Sequence, residues 1–225
     1  MTFFDTHTHL DYFAEPLAQL VANAQAAKVE KILITAVSEK DFKTIEKMTA
    51  LYPNRLYYGL GLHPLYIQQH TETDLILLDQ ALANRPPSCT AVAEIGLERA
   101  KTELLSNALW RKQCDFLDAQ LQLAKQYNLP VNLHSRKSHE QLFTFLKRAQ
   151  LPKCGVVHGF SGSYDQAKRF VDLGYKIGVG GVISYARANK TRQVISRLPL
   201  DSLLLETDSP DMPVFGFQGH PNRPE

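Results

Sequence analysis

The chain has few cysteines, no long apolar run and no leader-like start. Its three cysteines, Cys89, Cys114 and Cys154, are scattered, odd in number and form no CxxC pair, which excludes a disulfide scaffold and predicts reduced thiols. Apolar runs such as residues 32–37 are too short to span a bilayer. The first ten residues lack both the basic and the apolar region of a signal peptide. We therefore expect a cytoplasmic protein with no membrane contact.

A strong excess of one charge is also lacking. The 25 basic and 23 acidic side chains leave a net charge of +2, which by itself indicates no class of partner. Residues 113–225 are more basic than residues 1–112. A mildly basic second half suits a phosphate-bearing substrate, although chance variation on a solvated surface explains it equally well. Nothing in the sequence indicates an obligate protein partner.

What the chain does contain is a regular alternation of short β-rich segments with longer segments of helical period. Most of the β-rich segments are continuous runs of Val, Ile, Leu and Ala, as expected of strands buried on both faces of a parallel sheet. Seven helix-like segments separate them, the first with an apolar stripe at Leu17, Leu20, Val21 and Ala24. The eight predicted strands span residues 3–7, 31–37, 56–61, 90–95, 131–134, 155–158, 175–180 and 203–207.

Repeated βα units form either an open doubly wound sheet or a closed barrel. Eight units in a chain of this length favour an α/β fold of the TIM-like (β/α)8 barrel type, and no linker divides the single predicted domain, 1–225. The residues after Asp208 are rich in Pro and Gly, so we expect the final helix to be absent and the chain to be a shortened form of a longer protein. The uncovered flank should then expose apolar side chains, Phe3 or Phe4 among them.

The segment His7-Thr8-His9 lies at and directly after the end of the first predicted strand. In an extended segment, residues i and i+2 point to the same side, so the two imidazoles can converge on one cation. Asp5, two residues earlier, is available to support a ligating histidine from behind. A His-x-His pair alone is a weak signal, since two surface histidines in a loop are the default interpretation.

Other residues with ligand chemistry occupy the same position in their βα units. His63, His134 and His158 lie at or just after the end of a predicted strand, as do Glu94 and Asp208. In a (β/α)8 barrel these strand ends surround one pocket, on the face that carries active sites. Each residue singly has a structural explanation, for example a satisfied core histidine or a helix cap. Their common placement predicts a shared site.

The ligand types indicate which ions such a site would hold. Four imidazoles and two carboxylates suit Zn²⁺, Mn²⁺, Fe²⁺ or Co²⁺ better than Ca²⁺, which prefers oxygen alone. Six ligands exceed what one catalytic zinc ion needs, whereas two ions bridged by a carboxylate would use all six and activate a water between them. We therefore predict a site for two divalent metal ions with the ligands His7, His9, Glu94, His134, His158 and Asp208.

Three further residues are weaker candidates for substrate binding. His63 lies near the predicted pocket, where it either contacts a substrate phosphate or serves only as a turn residue. Arg136 has a planar guanidinium that matches phosphate oxygens, with a surface salt bridge as the equal alternative. Ser161 lies where a helix begins, so that the amides there either bind an anion or are simply capped by Ser163.

Taken in order, these segments resemble the TatD family of metal-dependent hydrolases, often called TatD-type deoxyribonucleases. The resemblance covers residues 5 to 210. Four positions depart from the family pattern near the predicted pocket: Glu98 replaces the usual Asp, Lys137-Ser138 replaces Asp-Ala, and Gly159 replaces a common Cys. The six motifs are DTHTHL (5–10), GLHP (61–64), AEIGL (93–97), LPVNLHSR (129–136), VHGFSG (157–162) and ETDSP (206–210).

The resemblance implies a TIM-like barrel with two adjacent metal sites. Family members are described as Mg²⁺-dependent deoxyribonucleases with exonuclease-type activity, although the ligand set suits Zn²⁺ or Mn²⁺ equally. His63 resembles a family histidine near the substrate. The family pattern assigns one ion to His7, His9 and Asp208, the other to His134 and His158, and the bridge between them to Glu94.

The leading interpretation is a deoxyribonuclease that cleaves phosphodiester bonds in DNA, or in another phosphate-bearing substrate, by a water activated between two metals. Asp208 would orient or deprotonate that water, and Glu94 would bridge the ions. The alternative is amidohydrolase-type hydrolysis of an amide, ester or lactone. Enzymes of that kind often bridge their metals through a carboxylated lysine, but Glu94 stands at that place here and the nearest lysine is Lys101. A metal-binding protein without catalysis is disfavoured because no proposed ligand is missing.

Overall fold

Eight parallel strands form one sheet in the computed structural model, which describes residues 1–225. The strands are neighbours in chain order, so that the sheet curls into the predicted TIM-like barrel with helices between successive strands. All eight predicted strands are confirmed, with ends that differ by a few residues. They are β1 (Phe3–Thr8), β2 (Val29–Thr35), β3 (Leu56–Leu60), β4 (Cys89–Glu98), β5 (Val131–Arg136), β6 (Gly155–Val157), β7 (Lys176–Val179) and β8 (Leu203–Leu205).

Seven α-helices connect the strands, and their apolar stripes are buried. The longest, α4, begins after Ser106, whose hydroxyl accepts a hydrogen bond from the amide of Leu109. It ends where Asn128 takes a positive φ of 52° ahead of Pro130. No helix combines the length and the apolar character needed to cross a membrane. The helices are α1 (Leu17–Ala26), α2 (Phe42–Ala50), α3 (Glu72–Ala83), α4 (Asn107–Gln126), α5 (His139–Ala149), α6 (Tyr164–Asp172) and α7 (Asn189–Ile195).

In the first two strands, the polar side chains at the carboxyl end are buried. In β1 and β2 the residues at the amino end are exposed, whereas the last four residues of each strand are buried. The polar side chains His7 and Thr35 therefore lie beneath the loops that surround the carboxyl ends of the strands. A buried polar group needs a partner, so this end of the barrel must supply hydrogen bonds or ions.

The barrel is closed between β1 and β8 by contacts at the carboxyl ends of the strands. The amide of Asp208 donates to the carbonyl of His7 at 2.9 Å, and the amide of His9 donates to the carbonyl of Ser209 at 2.7 Å. Buried Asp5 accepts two bonds from Thr207, from its amide at 3.0 Å and its hydroxyl at 2.6 Å. These contacts join the first and last strands beside the predicted metal ligands.

Farther from this mouth, the outer flank between β1 and β8 is open. No helix follows β8, and Phe3, Phe4 and Leu205 are 39%, 40% and 52% exposed. With Val214 and neighbouring residues they line an apolar groove of about 500 Å³. The expected apolar patch is therefore present at the predicted place.

Replacing Thr207 with Val should weaken the closure without changing the size of the side chain. The change removes the hydroxyl bonded to Asp5 and leaves a buried carboxyl group with one partner fewer. We expect the free energy of unfolding of the metal-free protein to fall by about 1–3 kcal/mol, measured by urea denaturation. Thr144→Val, at an exposed position on α5, is the matched control. Equal losses in the two variants would contradict a special role for the Asp5–Thr207 contact.

Candidate metal centre

The structure brings all six predicted ligands together at the barrel mouth. The two histidines of the His-x-His segment come from the end of β1, and Glu94 and His134 come from the buried carboxyl halves of β4 and β5. His158 directly follows β6, and Asp208 follows β8. Five of the eight strands, or the segments directly after them, thus contribute side chains to one cluster, as expected for an active site on this fold.

A glycine permits the close approach of β4 to β5 at this point. Gly96 pairs with His134 across the sheet and has a φ of 147°, a conformation that residues with side chains rarely adopt. A Cβ atom at this position would lie 2.0 Å from the carbonyl oxygen of His134. Glycine is therefore required to hold Glu94 and His134 on adjacent strands at contact distance.

Glu94 lies at the centre of the cluster, and its two carboxylate oxygens face different partners. Oε2 lies 3.3 Å from Nε2 of His7 and 3.6 Å from Nε2 of His9. Oε1 lies 3.2 Å from Nδ1 of His134 and 2.7 Å from Nε2 of His158. One carboxylate thus belongs to two donor groups, which is the arrangement that a ligand bridging two ions requires.

The first donor group combines His7, His9 and Asp208 with Oε2 of Glu94. The Nε2 atoms of His7 and His9 lie 3.4 and 3.6 Å from Oδ1 of Asp208. Ligand atoms about 2.1 Å from a tetrahedral ion stand roughly 3.4 Å apart, so these spacings fit one zinc-sized cation among the four donors. The three side-chain donors His7, His9 and Asp208 lie close enough together to hold one metal ion.

The second donor group combines His134 and His158 with Oε1 of Glu94. Nδ1 of His134 lies 3.5 Å from Nε2 of His158, and both atoms point toward the carboxylate oxygen. Two imidazoles and one carboxylate oxygen are three protein ligands, the number usual for a catalytic ion that leaves a position open. The residues present therefore fit a second divalent cation next to the first.

Three of the histidines are held by acceptors behind their rings. Nδ1 of His7 lies 2.9 Å from Oδ1 of Asn132, and Nδ1 of His9 lies 3.0 Å from the carbonyl of Thr35. Nε2 of His134 lies 3.0 Å from Glu98. An acceptor at the distal nitrogen fixes the proton there and leaves the lone pair of the other nitrogen directed at the cavity, as in most histidine metal ligands.

The expectation that Asp5 supports a ligating ring is wrong. Asp5 accepts a hydrogen bond from the backbone amide of His7 at 3.3 Å, and its other bonds go to Thr207. Asp5 and His7 share one face of β1, but Asp5 lies next to Thr207 at the junction of β1 and β8, whereas the ring of His7 lies next to β5. The ring of His7 is held by Asn132 instead.

His63 differs from the other histidines of the cluster. Its Nδ1 accepts the amide of Leu65 at 3.0 Å, so in a neutral ring the proton is on Nε2, which lies 3.0 Å from Oε1 of Glu94. Burial lowers the pKa of His63 to about 4, which keeps the ring neutral. Its Nε2–H therefore donates to Glu94 and has no free lone pair for a cation. His63 contacts the bridging carboxylate directly, and it also lines the central cavity.

The cluster attracts positive charge. Burial alone would lower the pKa of His9, but its hydrogen bond to Asp208 and the charge of Glu94 outweigh burial and raise the pKa to about 9. His134 behaves in the same way beside Glu94 and Glu98, with a pKa of about 9. Burial alone would raise the pKa of Asp208, but the neighbouring histidines lower it to about 2. Protons or metal ions must compensate these carboxylates.

The donors surround a cavity of about 120 Å³, here called the central cavity. At roughly 30 Å³ per water molecule, it can hold a few waters or one tetrahedral oxyanion. Of the three residues expected to bind substrate, His63 and Arg136 line the central cavity. Ser161 does not line it and faces a neighbouring groove instead.

Sequence reasoning assigned no role to three residues that support the cluster. Asn132 and Glu98 hold the rings of His7 and His134. Glu206 is buried, which raises its pKa to about 8, and it accepts the amide of Gly159 at 2.5 Å, next to His158. Asn132 was detectable, because it is polar within an apolar strand and lies two residues before His134 on the same side.

A cluster of histidines and carboxylates at the mouth of a (β/α)8 barrel is typical of metal-dependent hydrolases. Residues 4–225 match the family model described as TatD related DNase, and the chain belongs to this family. It is 72% identical over 229 residues to an uncharacterized metal-dependent hydrolase of Haemophilus influenzae, a match that covers 100% of this chain and 87% of that protein.

Two further relatives come from other bacteria. The crystal structure of YjjV, a TatD homolog from Escherichia coli, is 51% identical with a TM-score of 0.92 and covers 99% of this chain and 85% of that one. A protein of Pantoea vagans named 3′-5′ ssDNA/RNA exonuclease TatD is 30% identical over 202 residues, covering 88% of this chain and 75% of that protein. The protein described here is a metal-dependent hydrolase of the TatD family.

Glu94→Ala should cost more bound metal than His63→Ala. The carboxylate of Glu94 faces both donor groups, whereas the N–H of His63 only donates to that carboxylate. We expect elemental analysis after reconstitution with Zn²⁺ to show loss of both ions from Glu94→Ala and near-complete retention in His63→Ala. Circular dichroism checks that both variants are folded. Equal metal loss would show that the distinction between bridge and donor is wrong.

Metal binding should release protons near neutral pH. The pKa values of His9 and His134 in the metal-free protein are about 9, so both rings hold protons at pH 7.5 that a cation must displace. The apparent affinity for Zn²⁺ should therefore increase as pH rises from 7 toward 9. Calorimetry at pH 7.5 in two buffers of different ionisation enthalpy should detect about one to two released protons. An affinity independent of pH over this range would contradict the expectation.

Proposed function

We propose that this protein hydrolyses phosphodiester bonds in DNA at a centre of two divalent ions. The observation that carries the proposal is the division of the Glu94 oxygens between two complete donor groups. Paired ions are a recurrent solution for phosphodiester cleavage, because one reaction centre must stabilise both an entering and a leaving oxygen. The names of the TatD relatives support DNA or RNA as the substrate class.

The six ligand residues form two groups, one for each ion. His7, His9 and Asp208 would hold one ion, His134 and His158 the other, and Glu94 would contact both. Zn²⁺, Mn²⁺ and Mg²⁺ are the candidates. Bound there, the ions would supply Lewis acidity and lower the pKa of a water between them. The acceptors behind His7, His9 and His134 keep each ring in the tautomer that this requires.

Asp208 is the residue best placed to take a proton from the attacking water. It lines the central cavity, is about 20% exposed on its side chain, and is ionised at neutral pH. Glu94 is also ionised, but its buried oxygens are both engaged by histidines. A base must reach the proton that it removes, so Asp208 can orient and deprotonate a water in the cavity whereas Glu94 cannot.

Arg136 would bind the phosphate at the edge of the cavity, and His63 would hold the bridging carboxylate beside it. Arg136 is exposed, lines the central cavity and forms no ion pair; the arginines that do are Arg148, Arg169 and Arg223. Its planar guanidinium can donate two parallel hydrogen bonds to a phosphate group. The N–H of His63 holds Glu94 in place from the side opposite Asp208's donor group.

A hydrolysis screen of the metal-reconstituted protein tests the proposal. The substrates are bis(p-nitrophenyl) phosphate, single-stranded DNA, RNA, phosphomonoesters and lactones. We expect the phosphodiesters to be cleaved, and Asp208→Asn to lower kcat by about 10²–10⁴-fold because the base is lost. Asp201→Asn, at an exposed position ahead of β8, is the matched control. Cleavage of lactones with no cleavage of phosphodiesters would replace the proposed function by the amidohydrolase alternative.

A further inference from the structure

The central cavity is too small for more than the reacting group of a substrate. Its volume of about 120 Å³ admits one phosphate, so the nucleotides on either side of that phosphate must lie outside it. A larger groove of about 770 Å³ lies beside it, here called the lateral groove. The lateral groove takes no part in the ligand geometry, and its lining is mostly polar.

The same two segments border the central cavity and the lateral groove. At the end of β5, Arg136 lines the cavity and the next residue, Lys137, lines the groove. In the loop after β6, Gly159 lines the cavity and Ser161 lines the groove. A polymeric substrate bound at the metal ligands can therefore extend across these two segments into the groove. Residues of α7 form the far wall.

The charge of the lateral groove is positive and uncompensated. Lys137, Lys190 and Arg197 are exposed along its lining, and none of them forms an ion pair. Glu140 is the one acidic residue of the lining, and its carboxylate is already bonded to Arg169 at 2.6 Å and to Gln166 at 2.9 Å. Three free cations in one groove favour an anionic ligand that is longer than one phosphate.

The groove also offers a surface on which a base can stack. The guanidinium of Arg197 lies over the ring of Tyr164, 3.7 Å from its centroid, and both residues line the groove. This contact orients the planar guanidinium while leaving it exposed. Cationic grooves with flat stacking groups are the usual means of binding single-stranded nucleic acids without regard to sequence.

We propose that the lateral groove binds the backbone of a single-stranded nucleic acid whose reacting phosphate lies in the central cavity. The proposal rests on the proposed phosphodiesterase function and extends it to the rest of the substrate. Lys137, Lys190 and Arg197 contact successive phosphates, a base stacks on Arg197, and the hydroxyl of Ser161 contacts the strand where it leaves the cavity. Ser161 thus binds substrate, but at a distance from the metal ligands.

Two double variants test the groove. Lys190→Gln with Arg197→Gln removes two groove cations, whereas Lys153→Gln with Arg111→Gln removes an exposed lysine and an exposed arginine outside the groove and serves as the matched control. For each protein, kcat/KM is measured on a 12-nucleotide single strand and on bis(p-nitrophenyl) phosphate. We expect the ratio of the two values to fall at least about fivefold in the groove variant, as loss of one stacked base alone predicts, and to stay constant in the control.

A binding measurement on the metal-free protein separates the groove from the chemistry. Fluorescence anisotropy of a labelled 12-nucleotide DNA strand should show weaker binding to the groove variant, and the slope of log Kd against log salt should fall by about 1.4, roughly 0.7 for each lost phosphate contact. An RNA strand of the same sequence shows which polymer is preferred.

The possible outcomes distinguish the groove from the function. Phosphodiester cleavage with an unchanged ratio in the groove variant would overturn the groove and leave the proposed function intact. Groove-dependent binding without any cleavage would support the groove and reject the proposed function. Equal effects of the two double variants on binding and on the ratio would show that only the overall surface charge matters. That result would also contradict the proposed role of the groove.

Discussion

The carboxylate of Glu94 is an anion enclosed by protein, and the rest of the site is arranged around it. Its side chain is about 2% exposed, and five histidines lie within 3.6 Å of its two oxygens. An ionised carboxylate out of water is tolerated only where cations or N–H donors surround it. The barrel supplies the five imidazoles from the end of β1, from β5 and from the segments after β3 and β6. A cation that binds here would balance the negative charge of Glu94, which protonated imidazoles balance in its absence.

The seam between β1 and β8 couples the fold to this centre. One donor group has His7 and His9 on β1 and Asp208 after β8, so its geometry exists only while the two strands are joined. The joining contacts lie at the same end of the barrel: the bonds between Asp5 and Thr207, and the backbone bonds on either side of Asp208. The open apolar flank lies along the outer face of the same two strands, away from the ligands. The contacts that join β1 to β8 therefore also hold His7, His9 and Asp208 in the positions needed to bind one ion.

The sequence was sufficient to predict the eight strands and the meeting of six ligand residues, because both depend on local pattern. Continuous apolar runs mark buried parallel strands, and residues at their carboxyl ends share one face whatever the detailed register. The roles of Asp5, Asn132 and His63 depend on which side chain lies opposite which after the strands are paired. One-residue differences in register decide this, and a single sequence does not encode them locally. The alternative that Ser163 caps the helix after β6 is confirmed, but the direction in which the loop with Ser161 faces is a tertiary property.

Negative side chains lie in the central cavity, whereas positive side chains line the lateral groove. The central cavity holds Glu94 and Asp208, which repel a phosphate while no cation lies between them, whereas Arg136 and the cations of the lateral groove attract one. Close charges in a partly buried site interact strongly, so the carboxylates dominate near the ligands and the cations dominate outside them. A polyanionic substrate of the proposed kind would therefore be drawn to the groove whether or not the centre holds metal. It would place a phosphate in the cavity only when protons or metal ions neutralise the carboxylates, so that under the proposed function the ions would serve productive binding as well as chemistry.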